Sequence, residues 1–455
     1  MEIRHGGLHG GWSRAVFGIA LILVGAQQPF CTSVAAHPLS TVYSFCTKGG
    51  CRDGANGEGL SADPSGNLYG VTAGPGGKSP GGTVYELTGG KRFRLLYRFC
   101  LHKDCSDGDS PLGSPIIDVN GNVYGTTIEG GANGRGVVFE IAADGTYHKL
   151  YDFCSQGGNS CTDGAIPFGG LAYAGAQTGA LYDGVSPLYG VTEAGGSQGY
   201  TGVVYMLTRD GDSWSETVLY AFCPRGGHCT DGSYPNGMLW PDAGGNLFGV
   251  TSEGGANRTS DFPAGGGTVF ELTPNGNAWT ESVLYSFCAQ SRCADGAFPD
   301  GSLFQDASGT LYGGTGGGGY RCTRAGLQQT CGVVFSLASS GGGWLETVLH
   351  AFCEKTDCPD GAFARGPLVI DPAGDLLGAT LAGGGNDSDV MGIGGGVLFE
   401  LSGTTYKILH RFCSLGNCAD GEYPEAGVIL SNGTLYGATF FGGIKNAGSV
   451  FKLKP

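Results

Sequence analysis

The sequence predicts an all-β protein: a seven-bladed β-propeller of four-stranded antiparallel blades, closed by the N-terminal strand completing the last blade. Three observations predict it. A cysteine hook, clearest in Leu284-Tyr285-Ser286-Phe287-Cys288 followed by Cys293-Ala294-Asp295-Gly296, occurs seven times at intervals of 54 to 69 residues, the mark of a repeat architecture. Each repeat holds four short runs rich in β-branched and aromatic residues and bounded by Gly, Asp, Asn or Pro. The last repeat stops after its third run, and a run of the missing kind, Thr41 to Phe45, stands near the N-terminus.

Taken in order, the first repeat supplies strand a from Gly59 to Asp63, strand b from Asn67 to Thr72, strand c from Gly82 to Leu87 and strand d from Leu95 to Phe99. Strand b returns at Asn122 to Thr127, Leu188 to Thr192, Asn246 to Thr251, Thr310 to Thr315, Asp375 to Thr380 and Thr434 to Thr439. Strands b and c read as nearly continuous apolar runs, as expected of small sheets buried on both faces. The third repeat carries extra residues, Ala172 to Pro187, an insertion in the a to b hairpin rather than a domain boundary. No segment has a sustained helical period with caps, so helix content should be very low. In the last repeat strand c is Ser449 to Leu453, and its partner d should be Thr41 to Phe45, which removes an exposed sheet edge.

Composition bounds compartment and partners. With 14% charged and 11% aromatic residues the chain can build a core and is not a solvated disordered polymer. A formal charge of -15, with no offsetting run of Lys or Arg, repels phosphate backbones, so nucleic acid is not an expected partner. Arg4 and Arg14 precede an apolar stretch from Ala15 to Val24 that is too short to span a bilayer, and Val34-Ala35-Ala36 offers a cleavage site. Residues 1–36 are therefore expected to be an export signal and 37–455 a single propeller domain. Lipidation at Cys31 is the alternative, disfavoured because Gln28-Pro29-Phe30 lacks the usual small residues. Cleavage after Ala36 leaves 16 of the 17 cysteines, an even set for an oxidising compartment. A secreted monomer, extracellular or periplasmic, with no transmembrane segment in the mature chain, is expected.

The motifs Gly-Asn-Leu-Tyr-Gly-Val-Thr at 66–72, Gly-Gly-Thr-Val-Phe-Glu-Leu-Thr at 266–273 and Leu-Tyr-Ser-Phe at 284–287 resemble the GloVer-type tandem-repeat proteins of bacteria. More distantly they are similar to kelch and NHL-type propeller repeats. The resemblance covers about residues 40 to 455 and implies an exported protein, often with a C-terminal sorting or anchoring segment, and no established activity. Here strand c is followed directly by the end of the chain, so an anchor is not expected.

The paired hook cysteines are expected to be local disulfides: Cys46 with Cys51, Cys100 with Cys105, Cys154 with Cys161, Cys223 with Cys229, Cys288 with Cys293, Cys353 with Cys358 and Cys413 with Cys418. Two thiolates per blade fall short of the four ligands of a structural zinc. Closing each small loop is worth about 2 kcal/mol by chain entropy. Cys322 and Cys331 form an eighth candidate pair. The Asp after each hook (Asp53, Asp107, Asp163, Asp231, Asp295, Asp360 and Asp420) is expected to capture turn amides rather than act as a catalyst, since a role repeated seven times is structural. His350 and His410 stand where other hooks have Tyr. Gly195-Gly196-Ser197-Gln198-Gly199 matches a nucleophile-elbow pattern, but the strand-to-helix turn it needs is missing.

Function should lie where the blades differ. Between the Thr ending strand b and the aromatic of strand c there are 12, 11, 12 and 11 residues in blades 1, 2, 3 and 7, but 18, 19 and 18 in blades 4, 5 and 6. Those long loops carry the candidate ligand-binding residues Glu253, Arg258, Asp261, Phe262, Tyr320, Arg321, Arg324, Asp387 and Asp389. No catalytic residue is assigned and no cofactor is expected. With zinc set aside, calcium is the ion that fits, with Asn386, Asp387 and Asp389 as weak oxygen ligands. The leading reading is an exported non-enzymatic binding or scaffold propeller for a glycan, cell-wall polymer or protein partner. The alternative is an extracellular carbohydrate-active enzyme, a glycoside hydrolase or polysaccharide lyase, which requires two carboxylates facing each other across a cleft.

Overall fold

The structure is a computed structural model that describes residues 39–75, 81–101, 104–324, 327–385 and 394–455. The expected signal segment and Cys31 lie outside the described residues. What is described below belongs to the unit His37–Pro455.

The described residues form seven antiparallel four-stranded blades, in chain order over residues 55–98, 109–152, 172–221, 233–286, 297–351 and 369–411, and finally 428–453 joined by 40–44. Blade 1 runs Ala55–Ala62, Leu68–Gly74, Thr83–Thr88 and Arg92–Arg98 as strands a to d. In blade 5 strand a is split into Ala297–Pro299 and Phe304–Gln305, both paired to Leu311–Gly317. The only helical pieces among the described residues are four three-residue 3-10 turns. The inserted residues of blade 3 send Tyr182, fully buried, onto Tyr124 of blade 2, with ring centroids 5.3 Å apart.

Closure is as the sequence predicts. Ser40–Ser44 pairs antiparallel with Ser449–Leu453, Ser40 opposite Lys452 and Ser44 opposite Ser449, so one sheet is built from both ends of the propeller unit. Phe45 then enters the joint between blades 7 and 1, where its ring meets Tyr85 edge-on at 5.2 Å. The same contact recurs round the ring: each hook Phe packs edge-to-face on the strand c aromatic of the next blade, as in Phe99 on Phe139 at 4.9 Å and Phe412 on Phe451 at 5.0 Å. Strand b makes room for that aromatic with a glycine. A Cβ on Gly249 would lie 2.5 Å from the Phe270 ring, and one on Gly378 equally close to Phe399.

A second repeated joint is made by backbone. The second residue after each hook Asp-Gly is left-handed although it is not glycine: Asn56, Ser110, Ile166, Tyr234, Phe298, Phe363 and Tyr423 have φ between 51° and 61°. Each donates its N–H to a carbonyl of the preceding blade, for example Ser110 to Gly81 at 3.0 Å, Phe363 to Cys331 at 2.8 Å and, across the closure, Asn56 to Ala447 at 2.7 Å.

Replacing Phe45, fully buried, by Ala should cost about 3–5 kcal/mol. Deleting residues 39–45 should lower the melting temperature by at least about 10 °C, because it exposes the edge of blade 7 and empties its joint with blade 1. Calorimetry of the two variants checks both, and unchanged melting of the deletion would remove the closure mechanism.

Candidate functional site at the channel mouth

All seven hook pairs are disulfides, with Cα–Cα separations of 3.9 to 4.7 Å. Cys331 is disulfide-bonded as well; the side chain of Cys322 lies outside the described ones. The hook aspartates serve the turns. Asp53 accepts from Tyr43 Oη at 2.7 Å, Thr47 N at 3.0 Å and Lys48 N at 3.1 Å. Asp295 is bound in the same way by Tyr285, Ala289 and Gln290. His350 and His410 replace Tyr in this role, each with Nε2 against the hook carboxylate, at 3.0 Å from Asp360 and 2.9 Å from Asp420. These carboxylates are thereby occupied and carry no chemistry of their own.

Four residues upstream of the hook Tyr or His, strand d of blades 1 to 6 presents either an aromatic or a glutamate to the neighbouring hook, and blade 7 has Leu39 there. Phe93 stacks on Tyr43 at 4.6 Å, Tyr147 on Tyr97 at 4.6 Å and Tyr406 on His350 at 3.9 Å. In blades 3, 4 and 5 the position holds Glu216, Glu281 and Glu346, each with buried oxygen that has no hydrogen-bond partner. Burial, then the nearby charges of Asp163, Asp231 and Asp295, pushes these carboxyls up to about 8, 7 and 7.

The hook-bearing face also carries the b to c loops, because turns of an antiparallel blade alternate between its two ends. The long loop of blade 4 is pinned from within: Phe262 is 6% exposed and packs edge-on against Phe298 at 5.0 Å, beside Cys288 and Cys293. Asn257 Nδ2 donates to Ser286 O at 2.8 Å. Phe262 therefore anchors its loop. Asp261 pairs with Arg321 at 2.6 Å, joining the loops of blades 4 and 5 with both side chains about half exposed. Such a pair is worth under about 1 kcal/mol in stability, so it orients these groups more than it stabilises them. Arg258 is exposed, and Tyr320 is 45% exposed. The side chain of Arg324 lies outside the described ones, and Asn386, Asp387 and Asp389 lie outside the described residues altogether.

Glu253 stands at the foot of the blade 4 loop, opposite Ser233 in strand a. From there the site continues inward, to residues that the sequence did not single out. One short segment in or beside strand a of every blade lines a cavity of about 190 Å³ on the ring axis. The residue at the equivalent position is Glu58, Leu112, Phe168, Asn236, Asp300, Arg365 and Glu425 in blades 1 to 7, and all but Asn236 line the cavity. Beside it a collar of glycines brings neighbouring backbones together; a Cβ on Gly113 would lie 2.5 Å from Gly170 N. The signal was present as Pro-x-Gly in Pro111-Leu112-Gly113, Pro167-Phe168-Gly169, Pro235-Asn236-Gly237 and Pro299-Asp300-Gly301: a fixed frame around one residue that varies freely.

The mouth is acidic. Arg365 Nε lies 3.3 Å from Asp300, and Arg365 sits against Gly316, where the blade 5 loop begins. Burial raises the Asp300 carboxyl, with Arg365 opposing. Glu193 is raised by burial and by the charges of Asp300 and Glu253, and Glu253 by burial. Glu58, 5% exposed, is held well above the usual carboxylate range by burial and by the Glu425 charge on the adjoining blade. These groups can present protonated carboxyls, which both donate and accept hydrogen bonds.

The fold is that of a seven-bladed β-propeller with a small cavity on its axis. A profile described as Gloeobacter/Verrucomicrobia repeat matches residues 30–186 and 179–322. The chain belongs to that repeat family. No curated protein matches it. Among solved structures it is similar to the extracellular domain of a protein described as a hybrid two-component system from B. thetaiotaomicron, at 10% identity and a TM-score of 0.52. That match covers 91% of this chain, which spans only 39% of the other. A Dyadobacter fermentans protein of unknown function gives 12% identity and a TM-score of 0.42, covering 92% of this chain and 100% of that one. Trypanosoma rangeli sialidase gives 10% and 0.39, covering 88% and 55%. At such identities the likeness is one of fold.

The three strand d glutamates give a pH dependence of known sign. Their folded pKa values, about 7 to 8, exceed the unfolded value, so their contribution to stability is complete below the ordinary carboxyl range and is lost as pH rises through 7 to 8. The melting temperature should fall between about pH 5 and pH 8, and the fall should be smaller in the triple variant Glu216→Gln, Glu281→Gln, Glu346→Gln. Parallel slopes for the two proteins would assign the effect elsewhere.

Proposed function

We propose that this chain is an exported, non-enzymatic binding propeller whose hook-bearing face takes an extracellular glycan, cell-wall polymer or protein partner. One observation carries the reading: the loops of blades 4 and 5, two of the three lengthened by sequence, stand over the part of the mouth where Glu253, Asp300 and Arg365 lie. The blades hold the inner groups, while Arg258, Tyr320 and the Asp261–Arg321 pair supply an exposed polar and aromatic rim. This combination suits a polyhydroxylated ligand, whose hydroxyls pair with protonated carboxyls and whose ring faces pack on aromatics. Export is supported by the seven hook disulfides and by the signal-like residues 1–36. No helix among the described residues is long and apolar enough to cross a membrane. Calcium at Asn386, Asp387 and Asp389 belongs to the same proposal.

A second reading is favoured by one feature, the buried Glu58 with its carboxyl raised and Glu425 beside it. A glycoside hydrolase needs one carboxyl that stays protonated near neutral pH to act as general acid and another that stays ionised. The two readings separate cleanly. A glycan array on the purified chain should give hits that disappear when the blade 4, 5 and 6 loops are cut to the length of blade 1, with the melting temperature retained, and that weaken on chelation if calcium takes part. Retention of binding after trimming would place the ligand elsewhere. Release of reducing sugar from an array hit, abolished in Glu58→Gln, would replace the binding reading by the hydrolase.

A further inference from the structure

We propose that the axial cavity, at the seam between blades 7 and 1, is a binding site for a primary ammonium group carried on a short aliphatic stem. The inference goes beyond the loop-face reading and does not depend on it. The cavity, about 190 Å³, is far larger than the roughly 10–15 Å³ that one water needs. Glu58 lines it and is 5% exposed, and no hydrogen bond reaches its carboxyl among the described residues. Its close charged neighbour is Glu425, which repels it. The cation lining the cavity, Arg365, is engaged with Asp300 at 3.3 Å. A buried carboxylate without a partner is costly, and it either holds a proton or waits for a cation.

The shape and the remaining wall select among cations. Leu112, Phe168 and Met238 give the cavity an apolar side, which favours a ligand with a hydrocarbon stem over a hydrated ion. An ammonium offers three donors and no acceptor, matching carboxylate oxygens that only accept when ionised. A bare divalent ion fits less well. Calcium takes six to eight oxygen ligands at about 2.3–2.6 Å, and among the described residues the groups of three or more ligating side chains that converge are built on cysteines and include no channel carboxylate.

The test titrates the purified chain calorimetrically with n-butylammonium chloride, and in parallel with n-butanol and calcium chloride. The expected result is saturable binding of the ammonium and none of the alcohol. Glu58→Gln should weaken it about tenfold or more without lowering the melting temperature, and the loop-trimmed chain should bind as the parent does. No saturable binding at millimolar ammonium, equal binding by Glu58→Gln, or butanol binding as tightly would each overturn the proposal. So would calcium binding that displaces the ammonium and is lost in Glu58→Gln, which would make the seam a metal site. Should Glu58→Gln fail to fold, Glu425→Gln is titrated and judged by the same criterion.

Discussion

The ring depends on one backbone hydrogen bond, made seven times. The residue two positions after each hook Asp-Gly turns left-handed, and its N–H reaches the carbonyl just before the glycine that opens strand c of the preceding blade. Holding seven non-glycine residues at φ of 51° to 61° is unfavourable, by about 1 kcal/mol or more each. The cost is met because each turn is fixed twice, by a disulfide and by an aspartate that gathers the turn amides. The hooks thus build no site. They set the angle at which each strand a leaves the rim, and through it the register of every blade on the next.

That constraint decides where variation is allowed. Between the left-handed residue and the collar glycine the chain passes close to the axis, and in six of the seven blades the intervening residue lines the cavity. In this chain the position runs from Leu112 and Phe168 to Arg365 and three carboxylates, a spread that packing alone would not produce, since packing favours similar volumes at equivalent places. The strand d position facing each hook is different. There a stacked aromatic in blades 1, 2 and 6 and a buried glutamate in blades 3, 4 and 5 are two ways to fill one gap. A protonated glutamate can fill it, whereas an ionised one beside a hook aspartate cannot do so without cost.

Much of this was legible in the residues. The hook repeat and its four β-rich runs led to seven blades, and the orphan run from Thr41 led to the closing strand. His350 and His410 were recognised as stand-ins for Tyr because they sit in the same frame, and each bonds its hook aspartate as Tyr does. Loop length marked blades 4 and 5, whose loops are tied by Asp261 and Arg321. Phe262 was counted among the ligand-facing residues, yet it is buried: an aromatic in a loop gives no sign of which way it points until the disulfide beneath it is placed. The axial residues were missed for a related reason. Period and spacing report what recurs along the chain, whereas distance from the ring axis is a property of closure, and Glu58 and Glu425 become neighbours only when the two ends of the repeat array meet.

The seam at which they meet is also the one joint built differently. Five of the other blades place proline before the variable axial residue and blade 6 places Ala364, but blade 1 has Gly57. A Cβ there would lie 2.8 Å from the ring of Phe45, so the first blade meets the closing strand's aromatic with bare backbone. The seam therefore relies on a five-residue strand with a bulge between Thr41 and Tyr43 and on one buried phenylalanine, with no peptide link from blade 7 to blade 1 beyond it. An occupant held by Glu58 on one side and Glu425 on the other would bridge the joint, and binding energy would then appear as stability of closure, growing with the logarithm of ligand concentration. The acidic pair and the N-terminal strand would in that case act on the same equilibrium from opposite ends of the sheet.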